Sequence, residues 1–258
     1  MTIRAIARKC VLDILGLFAK PAPGVHILNG HVINRNHITD ADCNKFRKLL
    51  TALSANAKFV NFEAATQMIK QGKIPNEPII AFSFDDGFTD DYLAIAPVLE
   101  EFGVNAAFFI NPNFASGNEE YTTNFTENIV LTPGKNPMNW NQIKELHSRG
   151  HIIGAHTMDH YMINSDNRKE LEYQIVECKK VIEDKLGTTC NYFAFPYGRL
   201  EHANQMAIDI ACETYPYVYS QSDYKHYFSF GGKVINRRHF EPFWPISHVN
   251  YFLSCRKG

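Results

Sequence analysis

The chain has 258 residues, 45% hydrophobic and 21% charged, with a formal net charge of −1. That length suffices for one sizeable core in a single barrel-sized domain. The near-neutral balance, with Lys and Arg scattered, excludes an electrostatic footprint for nucleic acid. Six cysteines (Cys10, Cys43, Cys178, Cys190, Cys212 and Cys255) form no C-x-x-C pair, which argues against zinc ribbons and redox motifs and for reduced thiols in the cytoplasm.

From Ile3 to Phe18 the apolar residues Ile3, Ile6, Cys10, Val11, Ile14, Leu15 and Phe18 recur at helical spacing, opposite Arg4, Arg8, Lys9 and Asp13. The pattern predicts an N-terminal amphipathic helix within residues 1–22, too short and too charged to span a bilayer. Asp13 interrupts the apolar run that a signal peptide needs. Its stripe either packs on the main domain or lies on anionic lipid as a peripheral membrane contact. Pro21-Ala22-Pro23-Gly24 ends the segment, and residues 23–258 read as one domain.

Val25 to Asn29 predicts a first strand, with His31 in the polar turn after it. Thr39 or Asp40 caps a helix to about Leu53, Lys58 to Asn61 reads as a second strand, and Phe62 to Lys70 as a second helix. Ile79 to Phe84 is a short apolar run, hence a strand buried on both faces, and it stops at Asp85-Asp86-Gly87. A helix from about Asp90 to Glu101 closes at Gly103, and Val104 to Ile110 is another buried strand. Residues 112–137 are polar and show no periodicity, so they are expected to form a lid, a substrate-contacting insertion or a plain surface loop. A helix over 139–149, a strand from His151 to Ala155 and a long helix from Arg168 to Leu186 follow. Strands at 192–197, 217–220 and 234–237, with helices at 202–213 and 246–256, complete the chain. Alternating strands and helices predict an α/β fold with a largely parallel sheet or barrel.

Two clusters sit where apolar strands run out. Adjacent acids on a strand point to opposite faces, so Asp85 and Asp86 serve one site only if the strand ends there; capping of the next helix is the plainer reading. His156 and His160, four apart, would share one face of a helical turn and could hold a common cation, although eleven histidines make a chance surface pair an even competitor. Two imidazoles and one carboxylate give the three N/O ligands of catalytic zinc with an open position, and the second carboxylate is placed to take a proton from water.

Three segments together resemble motifs of the polysaccharide deacetylases, carbohydrate esterase family 4. They are Ser83-Phe84-Asp85-Asp86-Gly87, then His156-Thr157-Met158-Asp159-His160, and Phe193-Ala194-Phe195-Pro196-Tyr197-Gly198. The likeness runs from about Val25 to Arg238, and the third segment resembles a subgroup with a Phe-Ala-Phe-Pro-Tyr-Gly form. The resemblance implies a distorted (β/α)7-type barrel and metal-dependent hydrolysis of N-acetyl, sometimes O-acetyl, groups on sugars. It implies Asp85 as general base, Asp86, His156 and His160 as ligands of a divalent metal, zinc foremost, and the Tyr197 amide as an oxyanion donor. Many members carry an arginine two residues before the motif-three proline, where this chain has Ala194. Arg237 or Arg238 is the expected substitute, Arg237 the preferred one. For the general acid, His239 and His248 are candidates and His226 a weaker one.

The expected function is removal of an acetyl group from a sugar, nucleotide-sugar or glycan precursor for surface polysaccharide, in the cytoplasm. The competing expectations are a catalytically silent glycan-binding member of the same fold, and a deacylase acting on a formyl or O-acetyl group.

Overall fold

A computed structural model describes residues 12–221 and 223–258. Its strands are β1 (Gly24–Gly30), β2 (Lys58–Phe59), β3 (Pro78–Phe84), β4 (Ala106–Ile110) and β5 (Ile152–Ala155). They continue with β6 (Tyr192–Ala194), β7 (Tyr217–Ser220), β8 (Phe228–Ser229), β9 (Val234–Asn236) and β10 (Arg238–His239). They form one sheet in the order β10-β1-β3-β4-β5-β6-β7-β9-β8, with β2 beside β3. All pairings are parallel except β8 with β9. The sheet curls into a half-barrel, and residues 234–239 meet both of its ends: β9 pairs with β7, and β10, two residues on, pairs with β1. Arg237 lies at that seam.

Burial on both faces explains why the strands are apolar runs rather than alternating ones. Val25, Ile27, Ile79, Ala81, Ala107, Phe109 and Tyr219 form one core cluster with Phe62 and Ile69 of the helix Phe62–Lys70. Ile80, Phe82, Phe84, Phe108 and Ile110 point to the other face, where they pack with the remaining helices. Truncating a ring such as Phe82, fully buried, would cost about 3–5 kcal/mol. The helix Asp40–Ser54 starts in a capping box between Thr39 and Asp42, which satisfies amide groups that a helix start leaves unpaired.

Two regions depart from the sequence expectation. Residues 112–137 are not a featureless loop: Pro112–Ser116 and Glu119–Asn124 are helical, and a π-helical turn follows at Phe125–Ile129. Phe114 stacks on Phe125 at 4.0 Å and meets Phe88 at 5.7 Å, so a small aromatic cluster of its own orders the insertion where periodicity gave no signal. The N-terminal helix is described only over residues 12–18, and the part predicted at residues 3–11 lies outside the described residues. Within 12–18, Leu12 and Gly16 are buried while Ile14, Leu15 and Phe18, three members of the predicted packing stripe, are exposed. Gly16 fits so closely against Ser247 that a Cβ there would fall 2.0 Å from its carbonyl oxygen, and this contact fixes which face turns inward. Among the described residues no helix is long and apolar enough to cross a membrane.

Candidate active site

The site gathers at the C-terminal ends of β1, β3, β5 and β6 and at the seam. Asp85 continues the row Ile79, Ala81, Ser83 on one face of β3. Asp86 would face the other way, but its φ of 76° turns it back, and Gly87 follows at 77°. Of the six non-glycine residues with positive φ among those described, four (Asp86, Thr157, His160 and Tyr197) are in this site. Such backbone costs about 1–3 kcal/mol each and persists only where surrounding contacts over-determine it.

His156 and His160 converge, but not on a helix. Residues 157–159 form a turn in which Thr157 and His160 take φ of 63° and 55°. The Asn111 side-chain amide donates to the carbonyls of His156 and Thr157, and Thr157 Oγ1 accepts from the Tyr161 amide. These bonds occupy groups that a continuing helix would need. Asp159, between the two histidines, accepts from Tyr121 Oη at 2.7 Å, Asn113 Nδ2 at 2.7 Å and Gln174 Nε2 at 3.0 Å. Through Tyr121 and Asn113 the ordered insertion braces this turn, and the Phe125 ring meets His160 edge-on at 6.1 Å.

The nitrogens His156 Nε2 and His160 Nε2 lie 3.6 and 3.3 Å from Asp86 Oδ1. Two zinc ligands at ~2.0–2.1 Å and a tetrahedral angle stand roughly 3.3 Å apart, so the spacing suits a shared cation. Asp86 Oδ1 is buried without a hydrogen-bond partner. His156 donates from Nδ1 to the Ala194 carbonyl at 2.6 Å, which leaves the Nε2 lone pair facing Asp86. Burial lowers His156 to about 4 and His160 well below its usual value, so both rings are neutral ligands. Burial, then the charges of Asp85 and Glu241 against the pull of His31, pushes Asp86 up to about 7; a bound cation would relieve that cost. Asp86, His156 and His160 fit a divalent ion.

Asp85 meets the opposite treatment. Burial would raise its carboxyl, but Arg237 outweighs this and holds it well below the usual range. Arg237 NH1 and NH2 donate to Oδ1 and Oδ2, each at 2.8 Å, a bidentate pair with both side chains buried. The guanidinium also donates to Asn29 Oδ1, Ser83 Oγ and the Ser220 carbonyl, and lies over the Phe109 ring at 4.8 Å. Arg238, the other arginine considered, turns away to the carbonyls of Phe252 and Cys255.

Tyr197 follows β6 with its ring 4.7 Å from that of His160, and its amide donates to no group among the described residues. Of the candidate acids, His239 Nε2 sits on Glu241 Oε1 at 3.0 Å beside the site. His248 pairs with Asp13, and His226 with Asp223 on an exposed loop. Two residues escaped the sequence reading, His31 and Glu241. His31 Nδ1 meets Glu241 Oε1 at 2.8 Å and its amide donates to Oε2 at 3.2 Å. Burial would lower His31, but Glu241, and more weakly Asp86 and Asp85, raise it to about 9. His31 Nε2 has no hydrogen-bond partner among the described residues. The available signal was positional, since His31 follows the end of β1 as Asp85 follows β3 and His156 follows β5. Asp90 Oδ2 accepts from the Ile33 amide at 3.0 Å and from Lys135 Nζ at 2.7 Å, and so steadies the turn that carries His31.

Comparison with known proteins bears on the family and the fold. The polysaccharide deacetylase family matches residues 72–213. YxkH of Bacillus subtilis (strain 168) is 27% identical over 135 residues, 52% of this chain and 42% of that protein. Peptidoglycan-N-acetylglucosamine deacetylase PgdA of Listeria monocytogenes is 22% identical over 184 residues, 70% of this chain and 34% of that protein. The chain thus spans less than half the length of these curated relatives. Among solved structures, IcaB from Ammonifex degensii superposes with a TM-score of 0.70 at 18% identity, covering 92% of this chain and 100% of that one. Streptococcus pyogenes deacetylase PplD, solved with acetate, gives 0.69 at 16% identity, covering 91% and 99%. At these identities the two structures show a shared fold.

Proposed function

The chain belongs to the polysaccharide deacetylase family, and from that premise we propose that it is a metal-dependent hydrolase removing an N-acetyl group from a sugar or glycan precursor. The observation that carries this reading is the convergence of Asp86, His156 and His160 beside an Asp85 pinned by Arg237. The first three residues would hold the ion, and zinc best suits an N/N/O set. Such an ion supplies Lewis acidity toward an amide oxygen and lowers the pKa of a bound water.

The chain's own groups supply the rest. Asp85, kept ionised and aimed by Arg237, accepts the proton of the attacking water. The uncommitted Tyr197 amide donates to the oxyanion as the carbonyl becomes tetrahedral. His31, its Nδ1 fixed on Glu241, gives its Nε2 proton to the departing amine. His239 is the less suitable donor, because its Nε2 is already engaged with Glu241. The reading extends to a cytoplasmic nucleotide- or lipid-linked substrate, which rests on the cysteine usage alone; activity confined to finished wall polymer would remove that extension.

The test is acetate release from a panel of acetylated nucleotide-sugars and oligosaccharides with zinc, cobalt or chelator. Turnover that needs metal and falls in Asp85→Asn, with metal still bound, is expected. Metal-loaded protein that frees no acetate from any of them would overturn the proposal.

A further inference from the structure

Asp85 has a second set of donor atoms near it, outside the Asp86 cluster. His31 Nδ1 and His239 Nε2 both rest on one oxygen, Glu241 Oε1, at 2.8 and 3.0 Å. The ligand atoms of the three residues lie within 4.8 Å of one another. Sheet register holds them there: Asn29 pairs with His239 across β1 and β10, and the Phe240 amide donates to the Asn29 carbonyl. The Glu241 side chain is 11% exposed, whereas those of His31 and His239 are 25% and 36% exposed, so both rings are partly open to solvent. Trp244 lies edge-on to His239 at 5.0 Å and limits its rotation.

We propose that His31, His239 and Glu241 form a second, weaker divalent-cation site, selective for zinc-like ions, whose occupation silences the proton donor.

The two clusters differ in one decisive respect. In the Asp86 cluster the donor atoms stand 3.3 and 3.6 Å apart with no hydrogen bond to the shared oxygen. In the His31 cluster they stand at hydrogen-bond distance, each pair bridged by a hydrogen. An ion entering the latter must displace those hydrogens and spread the ligands by a few tenths of an ångström toward the roughly 3.3 Å of zinc ligands. Binding is therefore weaker than at Asp86. Two imidazoles and one carboxylate favour zinc, cobalt or copper over magnesium and calcium, which prefer all-oxygen shells.

An ion on His31 Nδ1 leaves a neutral imidazole, which can release its Nε2 hydrogen only by becoming imidazolate. That ring cannot protonate an amine leaving group. This clause rests on His31 being the donor of the proposed hydrolysis; the binding site itself does not.

Cobalt(II) titration followed by visible absorption, with zinc counted by equilibrium dialysis, separates the two. Two equivalents are expected, the second bound at least ten-fold more weakly than the first. His239→Gln should lose the second equivalent and keep the first, and Asp86→Asn the reverse. Zinc beyond one equivalent should inhibit acetate release while magnesium does not, and whatever turnover His239→Gln retains should tolerate at least ten-fold more zinc. A single equivalent at millimolar zinc, or two in His239→Gln, would overturn the site. Two equivalents without inhibition would overturn the silencing. If no acetylated substrate is turned over, the hydrolase reading fails and the stoichiometry still decides the site. Should His239→Gln not fold, His31→Gln supplies the same binding readout.

Discussion

Away from the site, His26, Arg238 and Lys257 are buried basic residues that each send a nitrogen to a main-chain carbonyl, although His26 Nδ1 and Arg238 Nε find no partner among the described residues. His26 Nε2 donates to Ala22, Arg238 to Phe252 and Cys255, and Lys257 to Asn236. At the site, the buried Asp86 Oδ1 and the amide of the partly exposed Tyr197 are uncommitted among the described residues, and four side-chain-bearing residues are held in left-handed backbone. Buried histidines and charges occur in both regions, so residue type does not distinguish structure from chemistry. What distinguishes the site is that its ligand atoms converge on one point and that four of its side-chain-bearing residues take left-handed backbone.

The strongest way to break that distinction is to remove a ligand. His156→Ala should abolish metal retention and cut acetate release on the order of 10³-fold or more, as several kcal/mol of Lewis-acid stabilisation would require. Metal analysis and initial rates check this, and an unchanged melting temperature would show that the loss is chemical. Arg237→Met should act on both properties, since it strands a buried Asp85; a stability loss of ~3–5 kcal/mol by denaturant titration is expected, together with loss of turnover. Adding Asp85→Asn should recover stability and leave the enzyme inactive. Among the basic residues, Arg238→Met leaves two carbonyls unsatisfied, at a cost of about 1–3 kcal/mol each, while turnover per folded molecule stays within about two-fold. A comparable loss of turnover in Arg238→Met would erase the contrast.

Proton supply gives a subtler test. His31 is raised in the fold from its ordinary 6.5 to about 9 by Glu241. The pair therefore stabilises the fold fully below about 6.5, and that contribution fades as pH rises through about 9. The same protonated ring is the proposed acid, so kcat should fall on an alkaline limb near 9. Glu241→Gln should shift the limb down toward the ordinary value. A limb that does not move would remove His31 from the donor role. The smallest effect is expected from Tyr121→Phe, which costs the Asp159 brace one hydrogen bond, about 1 kcal/mol, and weakens metal affinity by no more than about ten-fold.

Much of this arrangement was readable from the residues. Apolar runs ending in charge marked β3 and β5, and helix Phe62–Lys70 and strand Tyr217–Ser220 fall on their predicted bounds, because burial imposes a pattern on local sequence. The turn at 157–160 was misread as helical because a spacing of four does not reveal positive φ; Asn111, 45 residues before His156, enforces it. His31 looked like an ordinary turn residue because its significance depends on Glu241, 210 positions later. The exposed Ile14, Leu15 and Phe18 failed as a packing stripe because one glycine's contact with Ser247 chose a different face.

The seam at residues 234–239 carries one more implication, for the order in which the molecule becomes competent. Arg237 is 152 residues downstream of the carboxylate it grips, and it arrives only when the same stretch of backbone bridges β7 and β1. Closing the wall and arming the base are thus a single event. A partly folded chain can have its acids and imidazoles in hand and still lack an aimed carboxylate.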